Sequence, residues 1–458
     1  MARLVADPDR GGDVLVAAAT PPGASALAVV RLTGPAGATL AIARRIAPRL
    51  PEAPRPREAV LCRLLGEDGR PLDRALVLFF PAPHSATGEE VVEFFCHGSP
   101  AIVAGLLAAA RAAGARPAGR GEFTRRALAN GKLDLAEAEG LAVLARAETR
   151  GGARRALALV EGELSRRVAA AREKMLDVLS ELEAALDFAE DVAAPEAPGV
   201  VEVLAAVAGE AEALAATAAR SGMLDRRKVV AILGRPNAGK STLFNALVGR
   251  DRAIVTAMPG TTRDAISETC EIGGETVTLL DTAGLRATED EVERIGVQVA
   301  ERAGEKADLV VYLIDAARGE SKEDREFLRE REGSERALVV ATKLDLAPRG
   351  CLPAAQDAVF VSAVTGERLE ELRALLAARL GLVQADGDLL VLERHREALM
   401  SAASCLREAA ALAGDSPSTP ELVTARVREA LSALGVITGE TATEELLDRI
   451  FATFCVGK

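Results

Sequence analysis

Residues 234–241 read Gly-Arg-Pro-Asn-Ala-Gly-Lys-Ser and follow directly on the apolar run 229–233. A strand that breaks into Gly-x-x-x-x-Gly-Lys-Ser and passes into a helix is a cradle for a polyphosphate. Gly234 and Gly239 let the backbone curl so that its N–H groups, those of Asn237 and Ala238 among them, face the phosphates. The Lys240 ammonium reaches the outer phosphates, and the Ser241 hydroxyl is placed to bind Mg²⁺. A helix from Thr242 would add the positive end of its dipole. This one string sets a ligand class and a strand-loop-helix unit in the middle of the chain.

Around that unit the texture changes three times. Residues 1–122 mix short β-like runs (14–19, 27–32, 75–80, 91–96) with one Ala/Leu helix at 101–113, and read as a compact α/β domain. Residues 123–221 turn to Ala, Leu, Glu and Arg with apolar residues at helical spacing, as in Leu176, Leu179, Leu182 and Leu186. Pro195 and Pro198 interrupt them, so long helices joined by a loop near 191–199 are expected. Residues 222–382 alternate strand and helix, with strands at 229–233, 276–280, 309–314, 337–341 and 358–361, which specifies a mostly parallel sheet flanked by helices. Helical texture returns over 383–458. Either this tail packs with the 123–221 helices, making the nucleotide domain an insertion into a helical bundle, or it forms a bundle of its own. The expected class is therefore α/β and α in one chain.

Net charge is −12, which argues against a general polyanion binder while leaving room for a local basic face. The six cysteines carry no CxxC spacing, so neither a zinc site nor a disulfide framework is indicated. With no signal-peptide pattern and no apolar run of membrane-spanning length, a reduced, cytoplasmic protein that does not enter a membrane is the expectation.

The remaining guanine-nucleotide elements follow in order. Gly260-Thr261-Thr262-Arg263-Asp264 occupies the place of a switch loop, where the Thr262 hydroxyl would complete Mg²⁺ coordination. Asp281-Thr282-Ala283-Gly284 ends a strand; Asp281 would hold a Mg²⁺-bound water and the Gly284 N–H would meet the γ-phosphate. Thr342-Lys343-Leu344-Asp345 ends another. The Asp345 carboxylate can accept two hydrogen bonds from guanine, which adenine cannot offer, and the Lys343 stem can lie over the base. Ser362-Ala363 would present N–H to the base oxygen. GTP is thus favoured over ATP. The first base-motif residue is Thr342 where Asn is usual, and a hydroxyl can do only part of the bracing of a carboxamide. Where many GTPases place a water-orienting Gln, this chain has Leu285, which cannot polarise water. Glu289, Asp290, Glu291 and Glu293 are acidic candidates for that task or a solvated helix face. Asn237 is placed to hold a cation beside the phosphates in lieu of an arginine.

Over nearly its whole length the chain resembles the MnmE (TrmE) family of tRNA-modification GTPases. The resemblance is carried by Ala19-Thr20-Pro21-Pro22-Gly23, by Thr87-Gly88-Glu89-Glu90-Val91-Val92-Glu93 with Cys96-His97-Gly98, and by Gly121-Glu122-Phe123-Thr124-Arg125-Arg126-Ala127 running to Asn130-Gly131-Lys132-Leu133-Asp134-Leu135. The nucleotide motifs, Glu293-Arg294-Ile295-Gly296 and the terminal Phe454-Cys455-Val456-Gly457-Lys458 complete it. The resemblance implies a GTPase domain inserted in a helical domain. It implies K⁺ bound by Asn237, Thr256, Met258 and Thr261 within a GTP-contacting loop that includes Ala257, Pro259 and Gly260, with Glu293 orienting water and two nucleotide domains meeting during hydrolysis. It also implies an N-terminal domain that forms a homodimer and binds 5-formyltetrahydrofolate, or a related one-carbon tetrahydrofolate, through Arg31, Glu93, Lys132 and Lys458. The implied partner is an FAD-containing protein of the MnmG type in a heterotetramer. The implied product is an aminomethyl-type group, carboxymethylaminomethyl, on carbon 5 of the wobble uridine of certain tRNAs. The sequence departs from the family at Ser99, where the family's His-Gly-Gly has its second Gly, and at 24–28, where a glycine-rich stretch is usual. His97 would be a satisfied core or turn histidine or a ligand contact, and Cys455 a packing residue or a chemical group. A GTP-gated assembly factor is the other class of reading; the N-terminal residues Arg31, Glu93 and Lys132 have no use in one.

Overall fold

The computed structural model describes residues 12–187, 197–224, 228–249, 266–281, 307–331, 334, 336–347, 358–382, 389–415 and 420–457. The chain divides into two compact units, one made of Met1–Ala145, Leu157–Ala216 and Val391–Lys458, the other of Arg146–Ala156 and Thr217–Leu390. Among the described residues no helix is long and apolar enough to cross a membrane.

The first unit opens with strands β1 (Leu15–Ala18), β2 (Ser25–Gly34), β3 (Val60–Leu65), β4 (Pro71–Phe80), β5 (Glu90–Gly98) and β6 (Arg116–Pro117), arranged β3-β4-β5-β2-β1-β6. All neighbours run antiparallel except β1 and β6. Helices α1 (Ala38–Ile46) and α2 (Pro100–Ala112) cover one face. There Ile42, Ile46 and Leu106 pack against Val30, Leu32, Cys62, Val77 and Phe94. Each such side chain contributes about 1.5–3 kcal/mol by leaving water. Sequence pattern indicated one helix in this region; α1 was hidden by its short length between Gly37 and the Pro-rich segment after it.

The helical part follows with α3 (Glu122–Ala129), α4 (Leu135–Leu144), α5 (Arg150–Val160), α6 (Glu163–Asp187) and α7 (Ala197–Leu224). The buried stripe of α6 is Leu164, Val168, Ala171, Met175, Val178, Leu179 and Leu182, a 3-4 spacing that lays one face on its neighbours. Leu176, counted in the stripe from sequence, is 47% exposed because it lies one position off that face. The C-terminal helices Glu393–Asp415 and Pro420–Thr438 pack on each other, and the second packs on α6. Arg172 donates to the Leu431 carbonyl at 2.7 Å, so the tail joins the earlier helices instead of standing apart.

The second unit holds β7 (Lys228–Gly234), β8 (Ile266–Ile272), β9 (Glu275–Asp281), β10 (Leu309–Asp315), β11 (Ala337–Thr342) and β12 (Val359–Phe360) in the order β12-β11-β10-β7-β9-β8. Among the described strands only β8 runs antiparallel. β7 and β10 are buried nearly end to end, as expected of strands covered on both faces. The strand order reverses at β7, so the carboxyl ends of β7, β9, β10 and β11 open on the crevice where ligands of such sheets bind.

Where the chain re-enters the first unit, Glu139 of α4 meets Arg394 and His395. The Arg394 guanidinium pairs with Glu139 Oε2 at 2.6 Å and His395 Nε2 lies 2.7 Å from the same oxygen. His395 is fully buried, and its Nδ1 accepts from the Leu392 N–H at 3.3 Å. An accepting Nδ1 leaves the proton on Nε2, which donates to Glu139, so the imidazole is neutral. Burial pushes the His395 pKa down from its ordinary 6.5, against the opposing pull of Glu139. For Glu139, burial works to raise the pKa and is outweighed by hydrogen bonds from His395 and Arg394, which hold the carboxyl below its ordinary 4.5. The two shifts act in the same direction. As pH falls below about 6.5 the unfolded chain takes up a proton at His395 that the native state refuses, and below about 4.5 it does so again at Glu139. Stability is full above these values and is lost in acid. Replacing His395 with Gln, which keeps an N–H for Glu139 without titrating, should flatten the fall in melting temperature between pH 7 and pH 5. Equal slopes for the two proteins would remove His395 from the acid response.

Candidate nucleotide and N-terminal sites

β7 ends at Gly234, whose φ of +142° is open to glycine and whose missing Cβ would sit 2.7 Å from the Leu313 carbonyl oxygen. Gly239, at φ +91°, turns the loop into α8 (Lys240–Val248). That helix begins two residues earlier than the expected Thr242. Asn237, at φ +64°, is exposed at the mouth of the loop, and Ala238 is buried beneath it. Lys240 Nζ donates to the carbonyls of Gly234 at 2.7 Å and Arg235 at 2.8 Å, which sets its ammonium across the opening. Ser241 and Thr242 form the next positions of the helix. Loop and helix end thus supply converging N–H groups, a cation and a hydroxyl, the donor set that a Mg²⁺-polyphosphate needs.

Thr342 closes β11 and is 1% exposed. Its hydroxyl donates to the Ala238 carbonyl at 2.6 Å and stands 3.2 Å from the Ile314 carbonyl. This bond ties the base motif to the phosphate loop. Having one proton, Thr342 can serve one carbonyl fully, where an Asn NH₂ could serve both. Leu344 N–H reaches the Val361 carbonyl at 3.2 Å, and Ser362 Oγ donates to Asp345 Oδ1 at 2.7 Å. Lys343, Leu344, Asp345, Ser362 and Ala363 are therefore gathered into one wall beside the loop. Asp281 ends β9 opposite Ile232 of β7. Thr256, Ala257, Met258, Pro259, Gly260, Thr261, Thr262, Thr282, Ala283, Gly284, Leu285, Glu289–Glu293 and Lys458 lie outside the described residues.

In the N-terminal domain Arg31 of β2 and Glu93 of β5 are register partners, joined by Arg31 Nε to Glu93 Oε1 at 2.7 Å. The Arg31 guanidinium lies 5.9 Å from the Phe123 ring centroid. One turn of the pleat further on, Thr33 Oγ1 lies 2.7 Å from Thr87 Oγ1 and 3.0 Å from Glu89 Oε2. Glu89 also pairs with Arg126 at 3.0 Å. Asn130 donates to the Thr87 carbonyl, and Gly88 (φ +78°) comes so close to Asn130 and Lys132 that a Cβ would touch both. Two motifs some forty residues apart are thus one structure, with Lys132 Nζ held by the Pro83 carbonyl at 3.1 Å. Glu89, Thr87, Arg126 and Asn130 were not singled out from sequence, although they stand inside the recognised strings. His97 is 68% exposed and paired with Asp73 at 2.8 Å, so it is a surface histidine and no core residue. Cys455 is exposed as well, which rules out a packing role. The tail beside it is docked: Gly457 (φ +91°) lies so near β1 that a Cβ would fall on the Ala18 carbonyl, and Phe454 is buried with Leu128 and Phe451.

A parallel sheet of this order, with a phosphate loop on β7 and a braced Lys-x-Asp on β11, is that of a P-loop GTPase. The family model described as the MnmE helical domain matches residues 135–455, and that described as the GTP-binding protein TrmE N-terminus matches 14–132. The tRNA modification GTPase MnmE of Symbiobacterium thermophilum is 42% identical, covering 98% of this chain and 100% of that protein. The proteins of that name from Thermus thermophilus and Phenylobacterium zucineum are each 43% identical over 97% of this chain, covering 99% and 100% of their own lengths. Among solved structures, the G domain of the Thermotoga maritima FeoB iron transporter shares 27% identity over 34% of this chain and 99% of its own, with a TM-score of 0.24, too low to add to the topology above. The chain belongs to the MnmE family of tRNA modification GTPases, enzymes that hydrolyse GTP and use Mg²⁺ with the nucleotide.

Replacing Thr342 with Val keeps the shape and deletes the donor. The Ala238 carbonyl would then be buried without a partner, at a cost of about 1–3 kcal/mol. GDP release, followed with a fluorescent analogue, should quicken by roughly five- to tenfold; an unchanged rate would show that the brace does not govern the pocket.

Proposed function

We propose that this chain is a K⁺-dependent GTPase that acts in the cytoplasm with an FAD-containing partner of the MnmG type, as a heterotetramer. Together they add a carboxymethylaminomethyl group to carbon 5 of the wobble uridine of certain tRNAs. GTP is held by the loop Gly234–Thr242 and by Thr342, Lys343, Asp345, Ser362 and Ala363. Mg²⁺ is held by Ser241 and Thr262, with Asp281 holding a metal-bound water. K⁺ is held by Asn237, Thr256, Met258 and Thr261, and water is oriented by Glu293. The nucleotide domains pair during hydrolysis. A 5-formyltetrahydrofolate or related one-carbon tetrahydrofolate is taken by Arg31, Glu93, Lys132 and Lys458.

The observation that supports this reading is the coexistence, in one chain of this family, of a phosphate-loop sequence braced by Thr342 beside Lys343 and Asp345 and the Arg31–Glu93 pair with its Thr33–Thr87–Glu89–Arg126 surroundings. A pure switch protein needs the first and not the second. An Arg–carboxylate pair, with Lys132 as a second cation in the same domain, suits a ligand with a carboxylate tail and a heterocyclic edge. Asn237, exposed at a left-handed position of the phosphate loop, is a neutral oxygen donor where a monovalent cation could sit. The N-terminal sheet supports a homodimer. Leu61, Leu76 and Phe95 are register neighbours on the face turned away from α1 and α2, and Leu61 and Leu76 are 55% and 44% exposed.

In cells lacking this chain, nucleoside analysis of bulk tRNA should show loss of the carboxymethylaminomethyl uridine, restored by the intact gene and not by Arg31→Ala. Unchanged nucleosides would sink the reading, and rescue by Arg31→Ala would sink its folate half. Purified protein should hydrolyse GTP at least tenfold faster in K⁺ than in Na⁺ of equal ionic strength, on the premise that the cation supplies part of the charge stabilisation usually given by arginine. Asn237→Ala should erase that difference, and equal rates in both salts for the unmutated protein would remove K⁺ from the mechanism.

A further inference from the structure

We infer that Asp315 is a positioning residue for the guanine pocket, acting through Lys343. The inference rests on the reading of Lys343 and Asp345 as base-binding residues. Asp315 is the last residue of β10 and the ladder partner of Thr342 on β11. Its carboxylate is 11% exposed, and Oδ2 holds the Lys343 ammonium at 2.7 Å. Its Oδ1 accepts the Ala317 N–H at 3.0 Å, which fixes the carboxylate as the cap of the turn leaving β10. Lys343 itself stands at φ +59°, a left-handed conformation that a non-glycine residue holds only when its surroundings enforce it.

The geometry assigns the two carboxylates of this wall different tasks. Asp345 is exposed, and Ser362 Oγ holds one of its oxygens at 2.7 Å, the arrangement of a group that reads a ligand edge. Asp315 is engaged on both oxygens by the protein, Oδ1 by the Ala317 N–H and Oδ2 by the Lys343 ammonium, and is largely buried. What it supplies is the end-point of the lysine. A free lysine stem samples many rotamers, and ordering it over a base at binding would cost about 1.5–2 kcal/mol. Anchoring the ammonium at a turn beyond the pocket draws the four-carbon stem taut before any nucleotide arrives. Lysine then acts as an apolar cover for the base plane, with its charge spent on Asp315.

A cover of this kind is blind to the base edge. Asp315→Asn keeps an oxygen for the Ala317 N–H and removes the charge that holds Lys343. In the full-length protein this substitution should raise KM for GTP and the release rate of GDP by about five- to tenfold, while kcat changes by less than twofold. KM for ITP, which lacks the 2-amino group that Asp345 reads, should rise by the same factor, so the GTP-over-ITP preference stays as it was. Asp315→Glu, which restores the charge, should recover most of the loss. Asp345→Asn in parallel should lower the GTP-over-ITP preference. If Asp345→Asn leaves that preference intact, the guanine reading itself fails. If Asp345→Asn behaves as stated and Asp315→Asn binds like the unmutated protein, the Asp315 assignment alone fails. A KM rise that comes with a lowered melting temperature and a lost GTP-over-ITP preference also overturns it, because the pair would then only support the fold.

Discussion

β7 is hydrogen-bonded in parallel on both sides, to β9 and to β10, and the rest of the nucleotide unit depends on that double pairing. The ladders set Ile232 opposite Asp281, Gly234 opposite Leu313, and, one strand over, Asp315 opposite Thr342. Asp281, Asp315 and Thr342 close their strands, and Lys343, Asp345 and Ser362 follow within three residues of a strand end along this one edge. Parallel strands demand long crossovers, so residues scattered over more than a hundred positions emerge side by side only because the register is shared. The close approach at Gly234 is a tight point of the arrangement. A side chain there would meet the Leu313 carbonyl and push the phosphate loop off the sheet.

The other unit is joined by contacts of a different kind, between segments far apart in sequence. Arg125 of α3 reaches Glu444 and Asp448 of the helix Glu444–Phe451, and Arg120 pairs with Val456 in a two-residue bridge. Gly121 takes a left-handed turn against Phe451, where any side chain would collide. The docking of the last residues on β1 brings the terminal motif back to the N-terminal sheet. Such contacts make the tail part of the architecture, and they explain why small residues stand at both Gly121 and Gly457.

The parallel strands of the nucleotide unit were legible because they are continuous apolar runs bounded by motif residues. β8 was not: Ile-Ser-Glu-Thr-Cys-Glu-Ile buries Cys270 and Ile272 on one side and leaves polar residues on the other, a pattern too short and too mixed to stand out at a sheet edge. β3 and α1 were missed for similar reasons of length. The nucleotide motifs were readable since their chemistry requires contiguous residues. Asp315 was not, because an aspartate that ends an apolar run looks like any solvated strand end until the fold puts Lys343 beside it. Glu139 and His395 lie 256 positions apart and share no local signal at all. The leucine stripe of α6 was right in period and one residue off in phase at Leu176, since leucines alone do not mark a face when Met175 and Val168 complete it.

Thr342 ties the end of β11 to the loop that follows β7. In a buried site a carbonyl oxygen without a donor is costly, and the hydroxyl of Thr342 faces two of them with one proton. Its bond to Ala238 is short, so the phosphate loop takes the better share and Ile314 the poorer. The wall therefore does not draw all its rigidity from the base-motif side chain. Two charge-assisted or hydroxyl-carboxylate bonds act beside it, Lys343 to Asp315 and Ser362 to Asp345, each at 2.7 Å. These bonds hold the residues that would meet the base and leave the phosphate loop to its single brace. Such a wall has two bonded side chains, Lys343 and Asp345, on one side and the single Thr342 brace on the side of the phosphate loop.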